Sequence, residues 1–289
     1  MSKYLEQFSD AYDVVNPAPV RRAVIIASSQ RCGSSLLGHT LGATGGFGVP
    51  LEYFNQPNIK HWKARFGTDD IADLLDLIEK RRTTSNGIFA IKCHYFQLNE
   101  VGSIKGLFTR YEDCRFIAIK RKDLLRQAIS RTIALQTGVW FSGQQPKDEP
   151  VYDATQISRN MRILLRQRMQ WDMAFAIAGV KPFEVWYEDL IADPIGMVTR
   201  IADYCDVDPE ALTLDKEPPV RGQTTPLSRE WVEKFRLEQS EEEEAILNGY
   251  MPPDLAAADL ARANIYRFGL RRKAKIRWYR SPNLAIAGS

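Results

Sequence analysis

The sequence predicts an α/β protein of three layers, in which helices cover both faces of a mainly parallel sheet. Four short β-branched or aromatic runs are predicted as buried strands: Ala23–Ala27, Ile88–Lys92, Phe116–Lys120 and Phe183–Tyr187. Longer helical patterns separate or follow them, at about residues 34–43, 69–82, 123–137, 156–178 and 194–205. Strands that alternate with helices of this length form right-handed crossovers, so the strands are expected to pair in parallel.

The composition is typical of a soluble globular protein. The 289 residues are 44% hydrophobic and 26% charged, which suits a sizeable core and argues against disorder. No apolar run approaches the ~18–20 residues that span a bilayer, and the polar N-terminus lacks a secretory pattern. We therefore expect a cytoplasmic protein with an N-terminal extension (1–20), one domain (21–250) and a basic C-terminal extension (251–289).

The net charge and the spacing of the cysteines and histidines argue against several functions. A net charge of +3 gives no case for broad nucleic-acid binding. The four cysteines and three histidines lack the spacing of a metal site or a disulfide framework, and Cys93 and His94 are expected to pack near a strand end. The basic segment Leu270–Arg280 is either a solvated helix or a weak contact with an anionic membrane surface or a polyanionic acceptor.

A small-residue turn follows the first predicted strand and leads into a helix, with the sequence SSQRCGSSLL at residues 28–37. Gly33 permits a positive φ and close backbone approach, and Ser34 and Ser35 can cap the helix. The helix N-terminus and Arg31 favour a bound phosphate or sulfate; the alternative is an arginine salt bridge beside a serine cap. Walker A spacing is absent, and no GxGxxG opens a helix after a strand.

This loop resembles the 5′-phosphosulfate loop of sulfotransferases, above all that of the bacterial trehalose 2-sulfotransferase family, roughly S-Q-R-S-G-S-[ST]-L-L. Here the segment is SQRCGSSLL, with Cys32 in place of a serine. The resemblance implies a P-loop-like nucleotide-binding fold, a homodimer, and 3′-phosphoadenosine-5′-phosphosulfate (PAPS) as co-substrate without a metal. It implies that the 5′-phosphosulfate of PAPS is bound by residues of this loop, namely Arg31, Cys32, Gly33, Ser34, Ser35 and Leu36. It also implies that Gln30 contacts the acceptor.

A second nucleotide contact is expected after the third strand, where Arg121 stands at the carboxyl end. By the same resemblance, Arg121 and Ser130 bind the 3′-phosphate that distinguishes PAPS from ordinary nucleotides. Tyr187–Leu190 (YEDL) recurs in sulfotransferases and is expected to be structural. Arg221, in a late proline-rich loop, either contacts the nucleotide or belongs to an ordinary loop. The loop Val139–Asp153 has the composition of a lid or a substrate-facing loop.

Glu52 is the candidate general base. A glycine-rich return after the first helix can bring it over the strand ends, and its apolar neighbours predict a raised pKa. Its segment GVPLEYF resembles G-E-P-Q-E-F-F of the family, whose second Glu is the catalytic base. Acceptor contacts are thereby expected at Pro50, Leu51, Glu52, Tyr53 and Phe54. Val49 and Leu51 replace the family's Glu and Gln, which leaves trehalose itself open, and Trp62 either stacks on a sugar or fills the core.

These features together predict a PAPS-dependent O-sulfotransferase with a carbohydrate or glycolipid acceptor and in-line transfer. Glu52 would take the acceptor proton, Arg31 and the loop would stabilise the transferring group, and Arg121 would select the nucleotide. Two alternatives stay open. One is a kinase-like phosphoryl transferase of the same topology, although the P-loop lysine is absent; the other is a nucleotide-binding scaffold without catalysis.

Overall fold

Four parallel strands form the sheet of this chain in a computed structural model, which describes residues 6–141, 144–214 and 225–238. The strands are β1 (Arg22–Ser28), β2 (Ile88–His94), β3 (Cys114–Lys120) and β4 (Phe183–Trp186), in the order β2-β1-β3-β4. On the central strand β1, Ile25 is aligned with Ile91 on one side and Phe116 on the other. The four predicted strands and their parallel pairing are confirmed.

The helices of the described residues surround this sheet. They are α1 (Ser34–Ala43), α2 (Gln56–Phe66), α3 (Ile71–Arg82), α4 (Ile104–Arg110), α5 (Leu124–Thr137), α6 (Ala154–Ala178), α7 (Tyr187–Ala192), α8 (Pro194–Tyr204) and α9 (Pro226–Glu238). Short 3₁₀ turns lie at Asp10–Tyr12, Tyr95–Val101 and Pro209–Ala211. The five predicted helices are present, whereas α2, α4 and α7 were not predicted. The spacing of Ile59, Trp62 and Phe66 is the helical signal that would have identified α2.

Alternate strand residues pack in two separate hydrophobic cores, because successive side chains of a strand point to opposite faces of the sheet. On one face Ile25, Phe89 and Phe116 pack with Trp62 of α2, Leu75 of α3 and Phe175 of α6. On the other face Ile26 and Ile117 pack with Leu37 of α1 and Ile201 of α8. A sheet buried on both faces by helices is the three-layer architecture that the sequence predicts.

The chain divides into two units, residues 1–235 and residues 236–289. The sheet and its helical layers belong to the first; of the second, only the end of α9 is described. Arg221 and the basic segment Leu270–Arg280 lie outside the described residues, as does the boundary expected at residue 250. Within the described ranges, no helix has both the length and the apolar character needed to cross a bilayer.

Candidate active site

A cavity of about 930 Å³ lies at the carboxyl ends of the strands. Every strand contributes to its wall: Arg31 follows β1, His94 ends β2, Arg121 follows β3 and Tyr187 follows β4. Of the residues proposed from the sequence, the lining includes Gln30, Arg31, Gly33, Ser34, Ser35, Leu36, Glu52, Arg121 and Ser130. The structure therefore brings together residues from four separate segments, at the edge where open α/β sheets bind ligands.

The loop after β1 presents an uncapped helix N-terminus to this cavity. Arg31 and Gly33 both have positive φ, 62° and 97°, and wrap the backbone around the start of α1. Gly33 is the N-cap residue, and no side-chain hydrogen bond caps the helix. The serine cap expected at Ser34 or Ser35 is therefore wrong. The unpaired N–H groups of the first helical turn and the helix dipole instead favour an anion here.

Two guanidinium groups meet beside this loop. Arg31 Nε donates to Ser130 Oγ at 2.9 Å, and Arg31 Nη1 donates to Trp140 O at 2.7 Å. Arg121 Nη1 lies 3.5 Å from the Arg31 carbonyl oxygen. Burial lowers the pKa of Arg31, and the positive charge of Arg121 lowers it further. Because two cations close together repel, a bound anion would stabilise this arrangement.

Residues after β4 support both the loop and Arg121. A Cβ added at Gly33 would lie 2.4 Å from Tyr187 Cδ2, so the Tyr187 ring fills the space that the glycine leaves. The Arg121 guanidinium lies over the same ring, 4.9 Å from its centroid. Arg121 Nε is buried with no hydrogen-bond partner among the described residues, and is 4.0 Å from Glu188 Oε1. The structure thus gives the YEDL segment a supporting role.

Glu52 lines the same cavity and is held by three donors. Lys92 Nζ is 2.7 Å from Glu52 Oε1, while Gln97 Nε2 and Asn55 Nδ2 donate to Oε2 at 2.8 and 3.0 Å. Burial alone would raise the pKa of Glu52, but the positive charge of Lys92, the electrostatic interaction with His94 and the hydrogen bonds from Lys92 and Gln97 outweigh it and lower the pKa to about 2. The raised pKa expected from apolar neighbours is therefore wrong.

Lys92 and His94 were not proposed from the sequence as site residues, and both face the cavity from the end of β2. Lys92 is 5% exposed, and its Nζ also donates to Ser35 Oγ at 2.9 Å. His94 Nδ1 is 2.9 Å from Ser28 Oγ, and its Nε2 is 3.7 Å from Glu52 Oε1. The signal for Lys92 was a charged residue at the end of an otherwise apolar strand, since a buried lysine needs partners.

The His94 ring has a tautomer that its partners favour. Ser28 Oγ lies 3.1 Å from Cys93 O and can donate to it, while the Ser28 carbonyl oxygen, an acceptor, lies 3.3 Å from His94 Nδ1. We assign the proton to Nδ1 from this network, which leaves the Nε2 lone pair towards Glu52. Burial lowers the pKa of His94, so the ring is neutral at pH 7. The expectation that His94 only packs near a strand end is thus incomplete.

Several residues expected to contact ligands face away from the cavity. Tyr53, Phe54 and Trp62 are buried in the core below Glu52, and the 1% exposure of Trp62 excludes sugar stacking in this conformation. Leu51 forms a bridge with Ile91 of β2. These residues, together with Pro50, are absent from the cavity lining, whose described members include Glu52. Leu51 pairs with β2, and Tyr53 and Phe54 form a turn that packs into the core, so Glu52 faces the cavity while these neighbours do not.

Cys32 also contributes no side chain, since it is fully buried in the core on the α1 face. Its backbone N–H donates to the Ser29 carbonyl oxygen at 3.4 Å, and Cys32 is absent from the described lining of the cavity.

The remaining wall is rich in aromatic side chains. Phe96, Trp140 and Phe141 line the cavity, together with His39 and Gln144. Three of these residues belong to the loop Val139–Asp153, which the sequence predicted as a lid or substrate-facing segment, and its described part does line the cavity. Aromatic rings beside polar groups can hold a molecule that has both a polar and an apolar face.

A parallel sheet with a glycine-containing loop after β1 and a cavity at the carboxyl ends of its strands is the α/β architecture that binds ligands at this edge. The family described as Stf0 sulphotransferase matches residues 23–238, and the chain belongs to this family of sulfotransferases. The resemblance that the loop indicated is thereby confirmed.

Two relatives of known name are also sulfotransferases. A trehalose 2-sulfotransferase of Mycobacterium tuberculosis is 29% identical over 257 residues, which cover 75% of this chain and 95% of that protein. A second trehalose 2-sulfotransferase, from Mycolicibacterium smegmatis, is 28% identical over 256 residues, covering 74% and 94%. Among solved structures, a sulfotransferase from Alicyclobacillus acidocaldarius aligns with a TM-score of 0.45 at 17% identity, covering 79% of this chain and 96% of that one.

Proposed function

We propose that this protein transfers the sulfuryl group of PAPS to a hydroxyl of a carbohydrate or glycolipid acceptor. The observation that carries the proposal is that Glu52, a helix N-terminus and two partly buried arginines line one cavity. A carboxylate facing a site for a strongly anionic donor is the arrangement that proton removal and group transfer require.

The donor would lie along the loop side of the cavity. Its 5′-phosphosulfate suits the N-terminus of α1 and Arg31, where N–H groups and a guanidinium converge. Its 3′-phosphate suits Arg121 and Ser130, which line the same cavity on the β3 side. Ser130 Oγ accepts from Arg31, so it can also donate its own proton to a phosphate oxygen.

The acceptor would lie between Glu52 and the aromatic wall. Its hydroxyl oxygen attacks sulfur as its proton passes to Glu52, and the S–O bond to the 5′-phosphate breaks, releasing 3′,5′-ADP. Arg31 and the loop N–H groups stabilise the charge that grows on the leaving phosphate. Phe96 and Trp140 suit the face of a sugar ring or the apolar part of a glycolipid. The two relatives named trehalose 2-sulfotransferase support a sugar acceptor.

A binding comparison separates this function from the kinase-like alternative. By calorimetry, 3′,5′-ADP should bind at least ~10-fold more tightly than ADP, because only the former places a phosphate at the 3′ position. The matched variants are Arg121→Gln, in the cavity, and Arg21→Gln, just ahead of β1 at the other end of the sheet. A preference of the wild type for ADP would contradict the proposal.

Transfer itself is tested with [³⁵S]PAPS and a panel of sugars and glycolipids, including trehalose. We expect a labelled sulfate ester from at least one of them, and Glu52→Gln should abolish most of the label. If 3′,5′-ADP binds tightly and no acceptor is labelled, the nucleotide-binding scaffold becomes the better description. The cytoplasmic location and the homodimer stay predictions, tested by cell fractionation and by light scattering.

A further inference from the structure

One lysine joins the two halves of the cavity. Lys92 Nζ is 2.7 Å from Glu52 Oε1 and 2.9 Å from Ser35 Oγ, which belongs to the first turn of α1. The ammonium group therefore lies between the carboxylate on the acceptor side and the helix N-terminus on the donor side.

The position of Lys92 is strongly constrained. The side chain is 6% exposed, and its α-carbon belongs to β2, which pairs with β1 along its whole length. A buried ammonium group requires charged or polar partners, because desolvation of an isolated charge costs several kcal/mol. Glu52 supplies the opposite charge and Ser35 a neutral oxygen. An anion bound beside Ser35 would supply a second negative charge within reach of the same ammonium group.

We propose that Lys92 couples the donor to the base: an anion bound at the loop beside Ser35 draws the Lys92 ammonium away from Glu52. This inference rests on the proposed function and adds regulation of the same site. Glu52 becomes a stronger base only when the donor is bound, so the acceptor hydroxyl loses its proton when a sulfuryl group is there to receive its oxygen. Lys92 acts as a positioning residue for Glu52 and as a contact for the donor.

The electrostatics of Glu52 and the hydrogen bonds of Lys92 favour this exchange, a change of partner by Lys92. While Lys92 pairs with Glu52, the pKa of Glu52 is about 2, and a carboxylate of that pKa accepts a proton from an alcohol weakly. Removing the largest positive charge beside it moves the pKa back towards the ordinary value of 4.5. An oxygen of the donor can accept from the ammonium as a charge-assisted hydrogen bond, which is comparable to the one that Glu52 gives up.

Other groups around Glu52 also affect its electrostatic environment. His94 from β2 faces Glu52 at 3.7 Å, and Gln97 and Asn55 are neutral donors to it. On the α1 side, the positive charge of Lys92 and burial lower the pKa of His39, with burial the larger cause. Both rings are neutral at pH 7, so Lys92 is the cation that controls Glu52 among these described neighbours.

The experiment is nitrogen-15 NMR of the full chain labelled at the lysine side-chain nitrogen and at the glutamate carboxyl carbon. The Lys92 ammonium signal is assigned by its loss in Lys92→Met. Without nucleotide, we expect a scalar coupling between Lys92 Nζ and the Glu52 carboxyl carbon. Saturating PAPS, without acceptor, should remove this coupling and shift the Lys92 signal. Lys120 is the internal control, because it is 12% exposed and pairs with Glu184 at 2.6 Å.

The outcomes separate the inference from the function on which it rests. Calorimetry on the same sample establishes whether PAPS is bound. If PAPS is bound and the Lys92–Glu52 coupling persists unchanged, the exchange is wrong while the proposed function stands. If PAPS does not bind the wild type, both are wrong. Equal shifts at Lys92 and Lys120 would mean a general change of the protein and would also contradict the exchange. The coupling is measured in the wild type, and Lys92→Met serves only to assign the signal.

Discussion

Arg31 Nε donates a hydrogen bond to Ser130 Oγ at 2.9 Å, which links the loop after β1 to the helix after β3. The two residues were proposed independently, for the 5′ and the 3′ ends of one nucleotide. Their contact joins the two proposed phosphate sites by a hydrogen bond, so a change at one site should alter nucleotide binding at the other.

Replacing this pair tests that linkage. Arg31→Ala and Ser130→Ala should each weaken 3′,5′-ADP binding, and the double variant should depart from additivity by ~0.5–3 kcal/mol, as contacting residues do. Calorimetry of the four proteins gives the coupling energy. Strictly additive losses would mean that the two side chains act separately. In turnover, Arg31→Ala should cost ~10²–10³-fold, the range for a lost transition-state donor.

Glu52→Gln tests the proton acceptor. Gln keeps the shape but replaces one acceptor oxygen with a donor and cannot take a proton, so turnover should fall by ~10²–10⁴-fold while 3′,5′-ADP binding survives. Glu100→Gln is the matched control, since Glu100 lies outside the cavity lining and pairs at the surface with Gln56.

His94 provides the competing assignment for that role. If His94→Gln costs as much turnover as we expect of Glu52→Gln, and Glu52→Gln costs little, the base is the imidazole and our assignment is wrong. The Nε2 atom of His94, 3.7 Å from Glu52 Oε1, makes this comparison necessary.

Arg121→Gln tests nucleotide selection. Loss of one charged hydrogen-bond donor to the 3′-phosphate should reduce the preference for 3′,5′-ADP over AMP by ~10–100-fold, because such bonds contribute ~1.5–3 kcal/mol. AMP binding should change less, since AMP has no phosphate at the 3′ position. An equal loss of affinity for 3′,5′-ADP and AMP would mean that Arg121 attracts nucleotides by its charge and does not select the 3′-phosphate.

Gly33→Ala tests the shape of the loop. An alanine there would need a positive φ and would place its Cβ 2.4 Å from the Tyr187 ring, so we expect loss of nucleotide binding and a lower melting temperature. Gly45→Ala is the control, because Gly45 also has a positive φ, 75°, but an added Cβ there would meet nothing within 4 Å. The control should lose only the ~1–2 kcal/mol of a left-handed conformation. Similar losses in both variants would argue against the Tyr187 contact.

Acid sensitivity follows from two histidines, of which His94 is buried and His39 is partly buried. Burial lowers the folded-state pKa of both His39 and His94 below their ordinary value of 6.5. Below pH 6.5 the unfolded chain binds protons that the folded protein resists, so the free energy of unfolding should be largest above 6.5 and fall as pH decreases through the folded-state pKa values. Urea unfolding at several pH values should show this slope, and the double variant His39→Asn, His94→Gln should reduce it. An equal slope in both proteins would contradict the assignment.

The strands and the loop were predictable because their signals are local. A run such as Ala23–Ala27 shows its burial in its own composition, and a glycine between a strand and a helix shows its turn. Parallel pairing then places all carboxyl ends on one edge, so the sequence predicts Arg31 and Arg121 at the same edge of the sheet. Resemblance in the segment around Glu52 added the proposed base.

Only the tertiary structure decided what surrounds Glu52. Lys92 lies far from it in the chain, yet a Lys92 Nζ–Glu52 Oε1 distance of 2.7 Å reverses the direction of its pKa. The burial of Tyr53, Phe54 and Trp62 was equally hidden, since an aromatic residue can suit a core as well as a sugar. Electrostatic and packing energies depend on distances in space rather than on separation along the chain. The sequence by itself therefore determined the sheet and the anion loop, whereas the charge state and neighbours of the proposed base came from the fold.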